Sequence, residues 1–84
     1  MAKIEIYTTS ICPFCHAAKK LLDEKGVDYS EISLSQEPHL RDRMIERADG
    51  ERTVPQIFIN DAHIGGCDDL YALESKGELD PLLG

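Results

Sequence analysis

The sequence predicts an α/β protein with a mixed four-stranded sheet flanked by three helices, in the order β-α-β-α-β-β-α. Two observations support this prediction. The chain begins with a strand, a helix and a second strand, and such a unit is joined by a right-handed parallel crossover. Later, Asn60 and Asp61 lie between two short apolar segments, which is typical of a tight antiparallel hairpin. A sheet with both kinds of connection is mixed, and helices cover its faces.

Two strands and two helices are predicted in the first half of the chain. Residues 3–8 alternate apolar and polar side chains, which indicates the first strand. Residues 13–25 carry apolar residues at i, i+4 spacing, and Pro13 suits the first turn of a helix. Residues 27–34 alternate again and predict the second strand. Residues 37–48 have one apolar face and predict the second helix.

The second half of the chain is predicted to complete the sheet and to add the last helix. Residues 54–60 are apolar and rich in β-formers, and residues 62–65 follow them across the predicted turn. A glycine pair then interrupts the chain. The last helix is expected to begin at Cys67 or Asp68 and to end near Gly77.

Length and composition restrict the possible functions. The 84 residues predict one domain, spanning residues 1–84. The net charge of −7 argues against nucleic acid as a partner, because phosphate binding needs clustered Lys and Arg. No apolar run reaches the roughly 18 residues that cross a bilayer, and no secretory signal is visible. Three cysteines are too few for a secreted disulfide scaffold, so we expect the cytosol as the compartment. We also expect a monomer and no membrane contact.

The reactive chemistry of the chain is concentrated in the stretch CPFC, where Cys12 and Cys15 enclose Pro13 and Phe14. Cys12 falls at the junction between loop and helix, and Cys15 lies in the first helical turn. Unpaired amides and the positive end of the helix dipole favour a thiolate at this place. Cys12 is therefore the predicted nucleophile, and Cys15 is predicted to resolve the mixed disulfide by attacking it.

Other uses of these cysteines are disfavoured. A zinc site formed by Cys12, Cys15, His63 and Cys67 is conceivable, but no second paired spacing supports it. A permanent disulfide across so small a loop stabilises little. A CxxC pair in a strand-helix-strand unit is typical of a redox site, so the redox pair is favoured. The three histidines are expected to be surface or packing residues.

Three stretches together resemble the glutaredoxins, which are small glutathione-dependent proteins of the thioredoxin-like superfamily. They are CPFC at 12–15, TVPQIFI at 53–59 and GGCDDL at 65–70, in the family's order and spacing. The resemblance covers the whole chain, although the family usually has Tyr where this chain has Phe14. It implies a thioredoxin-like fold and the activity of a glutathione-dependent thiol-disulfide oxidoreductase.

The resemblance also implies where glutathione would bind. The backbone of Val54 would bond to its cysteinyl part, and a cis Pro55 would hold that edge against the sulfurs. Gly65 and Gly66 would allow close backbone approach and positive φ, so that the following amides receive the γ-glutamyl carboxylate. Asp68 would cap the last helix and pair with the γ-glutamyl ammonium group. Besides Gly66, the other residues that the resemblance places around glutathione are Pro13, Phe14, Thr53 and Cys67.

Some positions depart from the family's pattern or are ambiguous. Many glutaredoxins carry a Lys shortly before the dithiol that holds the glycine carboxylate of glutathione, and Thr9 stands there in this chain. Arg41 is the hypothesised replacement, with a solvent-facing arginine as the alternative. Cys67 is interpreted as a small buried residue in preference to a thiol that forms a second mixed disulfide. Asp69 is expected to be a solvated acid.

The predicted activity is the reduction of protein disulfides and of glutathione mixed disulfides, with glutathione as co-substrate and no metal. The expected partners are glutathione and proteins that contain disulfides or are glutathionylated. One alternative is an iron–sulfur cluster carrier, in which two chains share a cluster through Cys12 and glutathione. A thioredoxin-like carrier is disfavoured because the chain has no Trp. An adaptor without turnover is disfavoured by the intact dithiol.

Overall fold

The computed structural model describes residues 2–84 and confirms the mixed four-stranded sheet. Its strands are β1 (Ile4–Thr8), β2 (Ser30–Ser33), β3 (Gln56–Ile59) and β4 (Ala62–Gly65), and they lie in the order β2-β1-β3-β4. β1 and β2 are parallel, as the predicted crossover requires. β3 is antiparallel to both of its neighbours, as the predicted hairpin requires for β4.

Residues 2–84 contain four α-helices where the sequence predicted three. They are α1 (Pro13–Glu24), α2 (Arg41–Arg47), α3 (Cys67–Ser75) and α4 (Leu79–Leu83). A short 3-10 helix at Pro38–Leu40 precedes α2. Within the described residues no helix has both the length and the apolar character needed to span a bilayer.

The sequence did not predict α4, because its five residues are too few to show a helical period. Its two buried side chains, Leu79 and Leu83, are four residues apart and therefore lie on one face against the core. Pro81 is tolerated because it lies in the first turn, where a helix has no internal acceptor for the amide.

Three predicted elements are shorter in the structure. The second helix was expected from residue 37, but Pro38 begins a 3-10 turn in which the Leu40 amide donates to the carbonyl three residues earlier at 3.0 Å. β2 begins only at Ser30, where its pairing with β1 begins, so residues 27–29 have no neighbouring strand. β3 begins after Pro55, because proline has no N–H for a strand ladder.

The sheet separates two clusters of buried side chains. Along β3, Ile57 and Ile59 belong to the larger cluster and Phe58 to the smaller, because successive side chains of a strand point to opposite faces. The larger cluster includes Ala18 and Leu22 of α1, Leu70 of α3 and Leu79 of α4. The smaller cluster includes Tyr7 of β1 and Met44 of α2.

The helices α1 and α3 therefore lie side by side on one face of the sheet. The hydroxyl of Tyr71 in α3 donates to the carbonyl of Ala17 in α1 at 3.2 Å. Because the N-terminal ends of these two helices carry the CPFC and GGCDDL stretches, the fold brings both motifs to one end of the molecule.

Candidate active site

Cys12 is the N-cap residue of α1 and has extended backbone angles. Its Sγ atom accepts a hydrogen bond from the Cys15 amide at 3.3 Å, and it lies 3.6 Å from the carbonyl oxygen of Val54. Pro13 follows as the first helical residue and has no amide that needs a partner. The half-buried Cys12 sulfur thus lies at the N-terminal end of α1, which is the positive end of the helix dipole.

The second cysteine has a different environment. The side chain of Cys15 is fully buried, and its pKa is raised to about 12, with burial as the largest cause. The hydrogen bond to Cys12 also raises this pKa, while a backbone hydrogen bond from Thr9 and the charge of Lys19 oppose part of the increase. The two sulfurs are therefore unequal. This difference supports Cys12 as the attacking sulfur and Cys15 as the thiol that stays protonated until it resolves the mixed disulfide.

A groove of about 510 Å³ lies beside the dithiol. Its walls come from Phe14 near the start of α1, from residues 53–56 and from residues 63–69. The predicted glutathione-binding residues that line it are Phe14, Thr53, Val54, Pro55, Gly66, Cys67 and Asp68. Pro13 is not among the lining residues and lies at the start of α1. The fold thus brings together residues that are more than 50 positions apart in the chain.

Two glycines and a cis proline shape the floor of this groove. The Val54–Pro55 peptide bond is cis, as predicted. A Cβ atom added to Gly66 would lie 3.3 Å from the carbonyl oxygen of Pro55, so the close backbone approach favours glycine. The expected positive φ is confirmed at Gly65, at +120°, but is wrong for Gly66, at −92°. A Cβ atom on Gly65 would also collide with the carboxylate of Asp69.

The start of α3 corrects the prediction that Asp68 caps this helix. Gly66 is the N-cap residue and Cys67 is the first helical residue. The carboxylate that reaches back is that of Asp69, whose Oδ2 accepts from the Gly66 amide at 3.0 Å. Asp69 is exposed as expected, but it has this structural role as well. Asp68 is left exposed on the groove wall.

The structure places Cys67 as a buried thiol, with 8% of its surface exposed, as predicted. Burial raises its pKa, and the nearby charges of Asp68 and Cys12 raise it further. Cys67 is therefore held as a neutral thiol beside the groove.

Thr9, which stands in place of the family's lysine, and Arg41, its hypothesised replacement, lie outside this groove. Thr9 lines a separate polar groove of about 400 Å³, together with Lys19, whose Nζ atom lies 3.0 Å from Glu31 Oε2. Arg41 is exposed, and its Nη1 atom donates to the carbonyl of Arg52 at 3.0 Å. That contact places Arg41 next to the segment that forms the groove, and its proposed role toward glutathione stays a prediction.

Two residues of the groove wall were missed at the sequence level. Gln56 is only 2% exposed, and its Nε2 atom donates to the carbonyl of Thr53 at 2.9 Å. Its Oε1 atom lies 2.6 Å from Nε2 of His63, which was expected to be a surface or packing residue. The available signal was a single amide side chain inside the otherwise apolar run VPQIFI.

Among residues 2–84, no three His, Cys, Asp or Glu side chains are arranged so that they could hold a metal ion. The set of Cys12, Cys15, His63 and Cys67 that was conceivable from the sequence does not assemble as a zinc site.

The glutaredoxin family model matches residues 4–64. This chain belongs to the glutaredoxin family. It is 57% identical to glutaredoxin 3 of Escherichia coli over 83 residues, which cover 99% of both chains. It is 53% identical to a glutaredoxin of Pseudomonas aeruginosa over 83 residues, which cover 99% of this chain and 98% of that one.

Solved glutaredoxin structures have the same fold. A glutaredoxin of Brucella melitensis is 54% identical and aligns with a TM-score of 0.84 over 99% of this chain and 89% of that one. A buckwheat glutaredoxin in complex with glutathione is 34% identical and aligns with a TM-score of 0.90 over 98% of this chain and 76% of that one. The fold is therefore thioredoxin-like, and this glutaredoxin is a thiol oxidoreductase.

Proposed function

We propose that this glutaredoxin reduces protein disulfides and glutathione mixed disulfides, with glutathione as its co-substrate. The observation that best supports this function is the position of Cys12. Its sulfur lies at the N-terminus of α1, 3.6 Å from the carbonyl oxygen of Val54. Val54 belongs to the wall of a groove with polar backbone and carboxylate groups. One reactive sulfur beside one peptide-sized groove suits a reaction whose co-substrate is a small thiol peptide.

The reaction proceeds by two thiol–disulfide exchanges. The Cys12 thiolate attacks one sulfur of the substrate disulfide, forms a mixed disulfide and releases the other sulfur as a thiolate. With a glutathionylated protein, Cys12 takes up the glutathione and the protein leaves as its thiol. A second glutathione thiolate then attacks this bond, releasing glutathione disulfide and restoring the Cys12 thiolate.

With a protein disulfide, Cys15 completes the reaction. Cys15 loses its proton and attacks Cys12, which forms the Cys12–Cys15 disulfide and releases the reduced protein. Two molecules of glutathione then reduce this disulfide and leave as glutathione disulfide. The buried position of Cys15 suits this role, because Cys15 is in contact with the Cys12 sulfur but is not accessible to a disulfide in solution.

Each part of glutathione has a proposed partner in the groove. The backbone of Val54 pairs with the cysteinyl residue, as a short antiparallel strand does. The amides of Cys67 and Asp68 at the start of α3 receive the γ-glutamyl carboxylate, and the Asp68 carboxylate receives the ammonium group. The remaining proposed contacts are Pro13, Phe14, Thr53, Pro55 and Gly66. The buckwheat complex with glutathione supports this use of the groove.

Arg41 is the proposed partner of the glycine carboxylate, in place of the lysine that Thr9 replaces. Its contact with the Arg52 carbonyl holds it beside Thr53, at the edge of the groove. We expect Arg41→Ala to raise the KM for glutathione while kcat changes little. An unchanged KM would remove Arg41 from the site.

The decisive experiment is a glutathione-coupled reduction assay that compares the wild type with Cys12→Ser and Cys15→Ser. Cys12→Ser should abolish the reduction of both a glutathionylated peptide and a protein disulfide. Cys15→Ser should retain the first activity and lose the second. Full activity in Cys12→Ser would refute the mechanism. A wild-type rate that does not saturate with glutathione would refute glutathione as the co-substrate.

The iron–sulfur alternative makes a separate prediction, because a cluster shared through Cys12 colours the protein. An absorbance spectrum after purification without oxygen tests it, and we expect a colourless protein. We also propose the cytosol as its compartment, where three free thiols persist, and a monomer as its working state.

A further inference from the structure

We propose that Gln56, held by His63, is a positioning residue. It orients the peptide group between Thr53 and Val54 so that the Val54 N–H faces the groove. This inference rests on the proposed function, because glutathione is the ligand that this peptide would face. It adds two side chains to the site to which the resemblance assigned no role. They act through the backbone and make no direct contact with the reacting sulfurs.

The direction of each hydrogen bond in this chain follows from one acceptor. The Nε2 atom of Gln56 lies 2.9 Å from the carbonyl oxygen of Thr53 and 3.2 Å from its Oγ1. Because a carbonyl oxygen only accepts, the Gln56 amide must turn its NH₂ group toward Thr53 and its oxygen toward His63. The 2.6 Å contact between Gln56 Oε1 and His63 Nε2 therefore needs a proton on that nitrogen. His63 therefore donates to Gln56, and Gln56 donates to Thr53.

The orientation of the Thr53 carbonyl determines the orientation of the next amide. In a planar trans peptide the C=O and N–H groups point in opposite directions. Since the Thr53 carbonyl points toward Gln56, the Val54 N–H points away from Gln56. Within residues 2–84 this amide has no hydrogen-bond partner, and Val54 lines the groove. The peptide thus presents a donor to whatever occupies the groove.

The hydroxyl of Thr53 is oriented by the same contact. Its Oγ1 atom accepts from Gln56, so its own proton is available for an acceptor elsewhere. Thr53 lines the groove, where the carbonyl or carboxylate oxygens of a peptide are suitable acceptors. One buried amide therefore aligns two donors, a backbone N–H and a hydroxyl.

The local structure of the sheet brings the two side chains together. Gln56 and Phe58 are alternate residues of β3 and share one face. His63 is the cross-strand partner of Phe58, and the register shifts between Ile57 and Phe58. The ring of His63 packs against that of Phe58 with centroids 5.2 Å apart and planes at 35°, which holds it beside Gln56.

Burial makes the orientation of Gln56 costly to change. Its side chain is almost inaccessible to water, so its amide depends on Thr53 and His63 for hydrogen bonds. Turning the amide over would place its oxygen against the Thr53 carbonyl oxygen. That contact would be repulsive whichever ring nitrogen of His63 carries the proton, and a buried polar group without a partner is destabilising.

The test measures glutathione saturation and the reactivity of Cys12 separately. Gln56→Leu has a similar volume but no hydrogen-bonding group, and it should raise the KM for glutathione roughly tenfold, with little change in kcat. The rate at which iodoacetamide alkylates Cys12 should stay that of the wild type, because that reaction does not use the groove. His39→Leu, in the 3-10 helix, is the matched control for a lost histidine and should leave both quantities unchanged.

Coupling between the two residues distinguishes positioning from a general loss of structure. His63→Leu should raise the KM for glutathione a few-fold, and His63→Gln should restore it because glutamine keeps a donor. The double variant of Gln56 and His63 should be no worse than Gln56→Leu alone, since His63 acts through Gln56. A KM unchanged in Gln56→Leu, or additive effects in the double variant, would refute the inference.

The failure of the inference and the failure of the proposed function give different results. A wild type that does not saturate with glutathione contradicts the proposed function itself. A wild type that saturates, together with variants of unchanged KM, contradicts only the positioning role. If Gln56→Leu does not fold, as judged by thermal unfolding, His63→Leu decides, because His63 lies at an exposed position.

Discussion

The burial of Cys15 predicts a resolving step that accelerates steeply with pH. In the reduced protein, burial and the hydrogen bond to Cys12 raise the pKa of Cys15 to about 12. Once Cys12 carries a mixed disulfide it has no negative charge, so its contribution is lost and burial remains. The pKa of Cys15 in that intermediate should lie between the ordinary value of 9.0 and about 12.

The size of the effect follows from the fraction of Cys15 that is ionised. At pH 7 this fraction is about one in 100 for a pKa near 9 and about one in 100,000 for a pKa near 12. At either limit the fraction increases tenfold with each pH unit across the neutral range. Because only the thiolate attacks, the rate of resolution should increase about tenfold per pH unit, without a plateau below about pH 8.

The step can be observed without glutathione. Cys12 is first converted to its mixed disulfide with nitrothiobenzoate, and the coloured thiolate that Cys15 then releases is followed by stopped-flow absorbance from about pH 6 to 9. Cys15→Ser should retain the label at every pH. A rate that levels off near neutral pH would mean that Cys15 ionises far more easily than its burial allows, and the reasoning would be wrong.

Three further variants test structural parts of the molecule. Arg47→Met removes a guanidinium whose Nη2 atom lies 2.8 Å from Glu5 Oε1; both side chains are largely buried. It should lower the free energy of unfolding in urea by about 2 kcal/mol, and the melting temperature by about 10 °C. Gly65→Ala should cost about 1–3 kcal/mol, because φ is +120° and the new methyl group meets Asp69. Glu31→Gln should make the free energy of unfolding fall less steeply as the pH is lowered. A hydrogen bond from a threonine hydroxyl lowers the pKa of Glu31 from its ordinary value of 4.5, so its stabilisation is present above that value and disappears as the pH falls through the folded pKa.

Each of these variants has a result that would contradict it. Wild-type stability in Arg47→Met would show that the ion pair contributes nothing. An unchanged unfolding curve for Gly65→Ala would show that the start of α3 tolerates a side chain there. Parallel acid-unfolding curves for Glu31→Gln and the wild type would remove Glu31 from the acid response.

The order of the elements could be predicted because each carries a local signal. Alternating isoleucines mark β1, and α1 ends at Glu24, within one residue of the predicted end. The helix α4 could not be predicted in the same way, since its two leucines are buried by side chains from distant parts of the chain. Local periodicity therefore predicts the four strands and the first three helices, whereas α4 depends on tertiary contacts.

The candidate site was predictable at the level of motifs and less so at the level of atoms. The capping carboxylate belongs to Asp69 rather than Asp68 because the helix starts two residues earlier than a cap at Asp68 would require. The contact between Gln56 and His63 depends on the register of β3 with β4 and on its irregularity. A shift of one residue exchanges the faces of a strand, so such a pairing is not visible in the sequence alone.

The division of the core determines how a change in sequence spreads through the molecule. A cavity created at Met44 would lie in the smaller cluster, against which Val54 of the groove wall packs. A cavity created at Leu70 would lie in the larger cluster, among side chains of α1 and α3, and α3 supplies Cys67 and Asp68 to the groove wall. We therefore expect two variants with the same loss of stability to differ in chemistry. Damage at Met44 should loosen the Val54 side of the groove, next to Cys12, whereas damage at Leu70 should loosen the side formed by the start of α3.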